Sequence, residues 1–288
     1  MNTHWHPEKS TPLMAWIFLF PSLFFLTCFL FLPMIAVLFL SLTDGNLNQL
    51  QWVGLENYKR LLANPDFPRI LLNTTYFSLA TIAPSTIIPL VLSILLNQNI
   101  PLKTLLRTGY FVPSVTSLVA MGLGFRWLFQ NNGPVNQILL QLKITPIPWL
   151  NSTTWAMPVL ILFSCWRQIG FNLVVFLACL QTIPQTQYEA AELDGAGFWG
   201  KLWHITLPSL RPTLIFAITT TTIFTLKSFE PVYIITNGGP ANSTNILPFY
   251  IYEQAFRQFN FGYASAATTF LLIIALIVVL IQIAADKQ

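Results

Sequence analysis

Six apolar runs, each long enough to cross a bilayer, constrain this chain more than any other feature of it. About 20 apolar residues span the hydrocarbon core as a helix. The runs lie at roughly Leu13–Leu42, Ile70–Leu96, Thr108–Gln130, Trp155–Leu180, Pro212–Ile235 and Tyr263–Ala284. In lipid every backbone N–H and C=O needs a partner within the protein, so the runs are expected as helices. The expected class is all-α: a polytopic membrane protein, residues 1–288 as a single transmembrane domain, with six transmembrane helices and both termini on one side. Prolines fall within several runs: Pro21 and Pro33 in the first, Pro84 and Pro89 in the second, Pro113 in the third. Each lacks a backbone donor, so a packed bundle of interrupted, kinked helices is expected, not a set of independent anchors.

Only 8% of the residues are charged, against about a quarter in a soluble domain. The net charge of +4 is spread out, and no basic cluster exists to hold a nucleic-acid backbone. Cys28, Cys165 and Cys179 all lie in apolar runs without metal-ligand spacing, and are expected as small buried hydrophobes. The first run, of about thirty residues, is too long for a signal-peptide core and is expected as a retained span. Positive charge barely orients the chain. With the N-terminus inside, Lys9, Lys103, Arg107, Lys201, Arg211 and Lys287 lie inside, against Lys59, Arg60, Arg69, Lys143 and Arg257 outside.

Between the fourth and fifth runs lies the polar stretch Glu189–Pro208, EAAELDGAGFWGKLWHITLP. Its first part is rich in helix-forming Glu, Ala and Leu. Gly195 and Gly197 permit a turn that other residues resist. A second short amphipathic helix can carry Phe198, Trp199, Leu202 and Trp203, with Pro208 and Pro212 expected to break it before the next span. The result is a helix–turn–helix elbow over residues 184–211, with an exposed corner of small residues. The segment Gly195–Leu202 nearly matches the phosphate-binding pattern G-x4-G-K-[ST], but Leu202 supplies no hydroxyl and no strand is expected before it. Nucleotide binding by this chain is therefore not expected.

The anchors E-A-A-x3-G-x9-I-x-L-P, from Glu189 to Pro208, resemble the coupling-loop signature of permease subunits of binding-protein-dependent ABC importers. The resemblance covers nearly the whole chain and implies the type I ABC importer permease fold. Gly54-Leu55-Glu56-Asn57-Tyr58 resembles a G-L-x-N-Y motif, and Thr236-Asn237-Gly238-Gly239-Pro240 a T-x-G-G-P motif, of its carbohydrate-uptake branch, on the side of the maltose and glycerol-phosphate permeases. The maltose subunit has additional N-terminal spans and a large outside domain, and no counterpart of either is expected in this sequence. The resemblance implies a permease, not an enzyme, in a bacterial inner (plasma) membrane. It implies a sugar-like solute and cytoplasmic termini. Its partners would be a second homologous permease, two ATPase subunits that use ATP and Mg, and an extracytoplasmic solute-binding protein. The chain itself would bind no cofactor or metal. Glu189, Ala190, Ala191, Asp194 and Gly195 would couple to the ATPase.

The outside loops are where such a receptor would dock, although plain connection between helices serves as well for any one residue. Ile246–Phe259 can form an amphipathic helix along the outer interface, with Phe249, Tyr250, Tyr252 and Phe256 as aromatic anchors.

Charges at membrane depth are costly and mark function by default. Arg126 beside Trp127 is expected to snorkel outward. Lys227 and Glu230, spaced i, i+3, are expected to pair on one helix face. Arg167 lies mid-span on a face shared with Ser164, Gln168 and Phe171, spaced i, i+3, i+4, i+7. A second polar face runs through Thr221, Thr225 and Ser228. Such hydroxyls serve either as glue between helices or as partners for sugar hydroxyls. In the maltose importer's larger permease, which the chain resembles, substrate contacts come from one stripe of each corresponding helix. Counting without gaps from Glu189 and from the Gly238–Pro240 turn carries them onto these seven residues. On that reading Phe171 stacks on a sugar ring, and Arg167 and Gln168 bond its hydroxyls. His4, His6 and His204 share no acid or nucleophile, so no catalytic constellation is seen. The alternative is a secondary carrier or channel, which also uses broken helices and polar groups at the midplane, but has no need of the elbow.

Overall fold

The computed structural model describes residues 12–44, 51–98 and 103–286; His4, His6, Lys9 and Lys287 lie outside the described residues. In chain order, α1 (Pro12–Leu26) and α2 (Leu32–Leu40) are joined by a π turn at Thr27–Phe31. Strands β1 (Thr43–Asp44) and β2 (Gln51–Trp52) and helix α3 (Glu56–Ala63) follow. Next come α4 (Phe67–Asn97), α5 (Lys103–Val115), α6 (Leu118–Leu128), α7 (Pro134–Gln141) and α8 (Ala156–Leu180). The chain closes with α9 (Gln185–Leu193), α10 (Phe198–Lys201), α11 (Leu207–Leu226), α12 (Leu247–Tyr252) and α13 (Phe261–Asp286). Trp16–Leu40, Phe67–Asn97, Ala156–Leu180 and Phe261–Ala284 are long and apolar enough to cross a membrane, and α5 with α6 would form a fifth, bent span. The remaining expected run is α11 and the broken segment after it.

The chain divides into two compact units, residues 1–63 with 254–269, and residues 64–253 with 270–288. In the first, the two strands form an antiparallel hairpin pairing Thr43 with Trp52. The G-L-x-N-Y segment closes on it. Gly54 takes φ +59°, a left-handed turn that favours glycine. Fully buried Asn57 donates to the carbonyls of Ser41 (3.1 Å) and Thr43 (2.7 Å), and the Tyr58 hydroxyl meets Ser41 Oγ at 2.7 Å. Asn57 thus satisfies backbone carbonyls where the first span ends, and Tyr58 holds the Ser41 side chain beside them. The span itself has no buried residue in its most apolar window.

The second unit is built on α4 and α8, with α5 crossing α8 and α11 packing on both. The polarity of α4 is inverted relative to a soluble helix. Thr74, Ser78, Thr81 and Ser85 are buried, while Leu72, Leu79 and Ile87 are exposed. This suits a helix whose outer face meets lipid and whose inner face packs by small and hydroxylated residues. At the α5–α8 crossing, Gly170 lets the backbones touch, since a Cβ there would collide with the Tyr110 carbonyl oxygen.

The prolines interrupt less than expected. Pro84 and Pro89 lie within one continuous 31-residue helix. Pro89 has no N–H to bond the carbonyl of Ser85 four residues back; Asn172 Nδ2 of α8 occupies that carbonyl instead, at 2.6 Å. Pro33 follows the π turn of the first span, in which Leu32 N–H reaches the Thr27 carbonyl. The wider π register absorbs the missing donor.

Two expected spans are not single helices. Residues Thr108–Gln130 bend by 101° between α5 and α6. There Pro113 withholds a donor from the last turn of α5, and Ser117 leaves helical geometry at ψ 121°. Residues Pro212–Ile235 break after Leu226, since Lys227 to Phe229 are not helical. Asn237 and Gly238 then turn with positive φ.

The expected outer amphipathic helix is also corrected. α12 lies inward: Phe249 is 0% and Tyr250 6% exposed, and Phe249 joins Phe77, Leu160, Phe163 and Val232 in one buried apolar cluster. The Leu247 N–H bonds Thr74 Oγ1 of α4 at 2.8 Å, and Tyr250 OH accepts from Asn64. Aromatics spaced i, i+1 and i+3 here fill a core; of the four named, only Phe256 is strongly exposed.

Candidate functional site: a polar cavity and an exposed elbow

A cavity of about 270 Å³ opens between α8, α11 and the break that follows α11. From α8 come Ser164, Arg167 and Gln168, and from α11 and its break come Thr221, Thr225 and Ser228. The two stripes therefore meet at one hollow. Phe171 is the exception. It lies behind the wall, edge-on to Phe224 with ring centroids 6.3 Å apart, and Phe224 and Phe163 are the aromatics that reach the cavity. Position i+7 lies about 10 Å further along the helix axis than Ser164, beyond the opening, and its neighbour Phe224 is the ring that borders the cavity.

The cavity's polar groups differ in how they are held. Asn172, fully buried on α8, donates both to the Ser85 carbonyl and to Thr221 Oγ1 (3.1 Å), tying α4, α8 and α11 together. Thr225 Oγ1 donates to the Thr222 carbonyl at 2.9 Å. Thr221 thus acts as glue between helices, while Thr225 bonds only within α11. In contrast, Ser164 Oγ, Arg167 Nε and Gln168 Nε2 are buried atoms with no protein partner. Thr81 on α4, 1% exposed, also lines the cavity with an unpartnered hydroxyl. An unpartnered buried donor costs about 1–3 kcal/mol, so a cavity lined by several suits a polar occupant.

Lys227 and Glu230 both line the cavity, but they form no ion pair among the described residues. The helix ends at Leu226, so i, i+3 no longer means one face. Arg126 is exposed, as expected, with a long contact of 3.5 Å to the Ile234 carbonyl. Cys165 is buried, and Cys28 and Cys179 are half-buried; all three are free thiols.

The elbow is built by a specific helix stop. Gly195 adopts φ +81°, and an added Cβ would meet nothing within 4 Å, so backbone conformation and not space requires glycine. Its N–H bonds the Glu192 carbonyl (3.0 Å), and Ala196 N–H bonds the Ala191 carbonyl (2.8 Å). This is the paired bonding by which a left-handed glycine ends a helix. Lys201 Nζ meets Glu192 Oε1 at 2.6 Å, and Tyr188 OH meets Thr206 Oγ1 at 3.0 Å, fastening the second arm to the first. Glu189, Ala190, Asp194 and Gly195 are exposed and Ala191 is half-buried. Pro208 and Pro212 do not end the second arm. A π turn at Leu202–Thr206, with Leu207 N–H on the Leu202 carbonyl, passes the chain into α11, which contains both prolines. Gly195–Leu202 is preceded by α9 and not by a strand, unlike a phosphate loop.

Residues 85–287 match the family described as binding-protein-dependent transport system inner membrane component. The chain belongs to this family. The lactose transport system permease protein LacF of Rhizobium radiobacter is 37% identical over 95% of this chain and 94% of its own. The arabinooligosaccharides transport system permease protein AraP of Bacillus subtilis is 33% identical over 96% and 89%. A crystal structure of a bacterial ABC transporter involved in import of the acidic polysaccharide alginate superposes with TM-score 0.85, covering 96% of this chain and 95% of that one. At 24% identity that likeness establishes the fold alone. The protein is a membrane-embedded permease component of an ABC importer and not itself an enzyme.

Within this permease, the sequence reading missed Thr81. Its signal was present: Thr74, Ser78, Thr81 and Ser85 follow i, i+4, i+7, i+11 and mark one face of α4. Asn172 was missed as well, and Pro89 was the clue, since a proline in a buried helix leaves a carbonyl that something else must occupy.

Proposed function

We propose that this permease conducts a sugar or oligosaccharide through a cavity lined by Ser164, Arg167, Gln168, Thr221, Thr225 and Ser228, with Phe171 behind Phe224. The observation that carries the reading is the meeting of two polar stripes at a hollow whose buried Ser164, Arg167 and Gln168 atoms have no protein partner. Relatives named as permeases of lactose and arabinooligosaccharide transport systems support the solute class. In this reading residues 1–288 act as one permease domain in the bacterial inner membrane, with both termini cytoplasmic. A second homologous permease completes the path. A soluble receptor delivers solute from outside. The elbow at 184–211, through Glu189, Ala190, Ala191, Asp194 and Gly195, docks on one of two ATPases, which use ATP and Mg. ATPase closure draws the paired elbows together and turns the cavity outward; such switching requires ligands that favour one state over the other.

The test is receptor-dependent uptake by the complete importer in proteoliposomes. Arg167→Leu is expected to weaken apparent solute affinity about tenfold to hundredfold, the worth of a charged hydrogen bond, with the ATPases still bound. Unchanged transport would remove Arg167 from the solute site. Uptake without ATP would favour a carrier instead.

A further inference from the structure

The unpartnered groups in the cavity share one chemical character. Arg167 Nε and Gln168 Nε2 are donors only, and Ser164 and Thr81 add hydroxyls that can donate. All four line the same hollow, and Thr81 is 1% exposed. Arg167 lies near the middle of the 25-residue α8, where a guanidinium without a counter-charge is costly. None of the ion pairs among the described residues involves it. Lys227 and Glu230 also line the hollow, so its two cations and one carboxylate leave a formal charge of +1. A neutral sugar can accept from these donors but leaves the charge as it is. An oxyanion satisfies both needs, since carboxylate, sulfonate and phosphate oxygens accept from a guanidinium in short, strong, often paired bonds.

We infer that Arg167, Gln168, Ser164 and Thr81 form an oxyanion subsite, and that the solute is a sugar carrying an acidic group. This rests on the sugar reading above and adds the charge of the solute and the third helix that holds it. Thr81 brings α4 into the site. Its hydroxyl is unlike that of Thr86 on the same helix, which bonds its own Ile82 carbonyl at 2.9 Å.

The assembled importer, purified without its receptor, is titrated at constant ionic strength with glucose, glucuronate and glucose 6-phosphate. Intrinsic fluorescence reports binding, with Trp166 adjacent to Arg167 in the chain. At least one acidic sugar is expected to bind about tenfold or more tightly than glucose. Comparing the two acids tells a carboxylate-sized subsite from a phosphate-sized one. Arg167→Gln should bring all three to one affinity, while Arg167→Lys should keep a reduced preference for the acids. Thr81→Val should weaken acid binding several-fold, and Thr86→Val should leave it unchanged. Equal affinity for glucose and both acids overturns the oxyanion subsite and leaves a sugar cavity. A preference that survives Arg167→Gln overturns its assignment to these residues. Binding of none of the three, with receptor-dependent uptake of a neutral sugar intact, overturns the subsite alone; loss of both overturns the sugar reading with it.

Discussion

Around the cavity, α8 and α11 turn Ser164, Arg167, Gln168 and Thr221 inward and leave apolar side chains such as Leu162, Val174 and Phe216 outward. At the elbow apolar side chains are exposed too, but on a segment outside the long apolar helices. Leu193 is 91%, Trp199 68% and Trp203 63% exposed, on arms fastened by the Lys201–Glu192 pair. A concave lining of unpartnered donors suits a small polar solute. A convex corner with exposed aromatic and aliphatic side chains suits a protein surface. On the proposed reading one apolar chain carries two recognition sites of opposite construction, and each is open to separate damage.

The largest effect is expected at the elbow. Gly195→Val forces a β-branched residue into left-handed backbone, at about 1–3 kcal/mol, and alters the corner offered to the ATPase. Uptake should fall to background while the spans still insert; normal uptake by vesicle assay would mean the corner tolerates reshaping. Next is the scaffold of the cavity. Gly170→Ala drives a methyl into the Tyr110 carbonyl, a backbone clash that overpacks the α5–α8 crossing by about 1–3 kcal/mol or more. Thermal stability and uptake should drop together, which separates this from the elbow variant. A smaller loss, about 1–3 kcal/mol, is expected for Asn172→Leu, which strands the Ser85 carbonyl beside Pro89. A melting temperature equal to the parent's would show that carbonyl needs no partner. Thr225→Val should do least to thermal stability, under about 1 kcal/mol, because its hydroxyl bonds only its own helix.

The same contrast governs what could be read from sequence. The elbow was legible because a left-handed helix stop demands glycine, and Gly195 stands six residues after Glu189 at the end of a run of helix formers. The stripes of α8 and α11 were legible because polar residues at helical spacing are rare in apolar spans. What failed depended on neighbours in space. Whether Pro89 breaks α4 is decided by Asn172, 83 positions away in the chain. Whether the aromatics of α12 face out or in is decided by the pocket that Phe77, Phe163 and Val232 leave for Phe249. The 101° bend between α5 and α6 turns on the dihedrals of Ser117, which allow more than one path. Phe171 obeyed the helical period but missed the opening, because periodicity fixes a direction and not how wide the cavity is.

The claim that solute binding and coupling are separate jobs of one chain is tested most directly by measuring solute affinity in an importer with a damaged elbow. Glu189 is exposed, well outside the cavity lining, so Glu189→Lys reverses a charge at the proposed ATPase contact without touching α8 or α11. The account predicts that the assembled importer carrying Glu189→Lys binds solute within about twofold of the parent, a difference under roughly 0.5 kcal/mol, while uptake is lost. A fall in solute affinity that tracks the loss of uptake would contradict it.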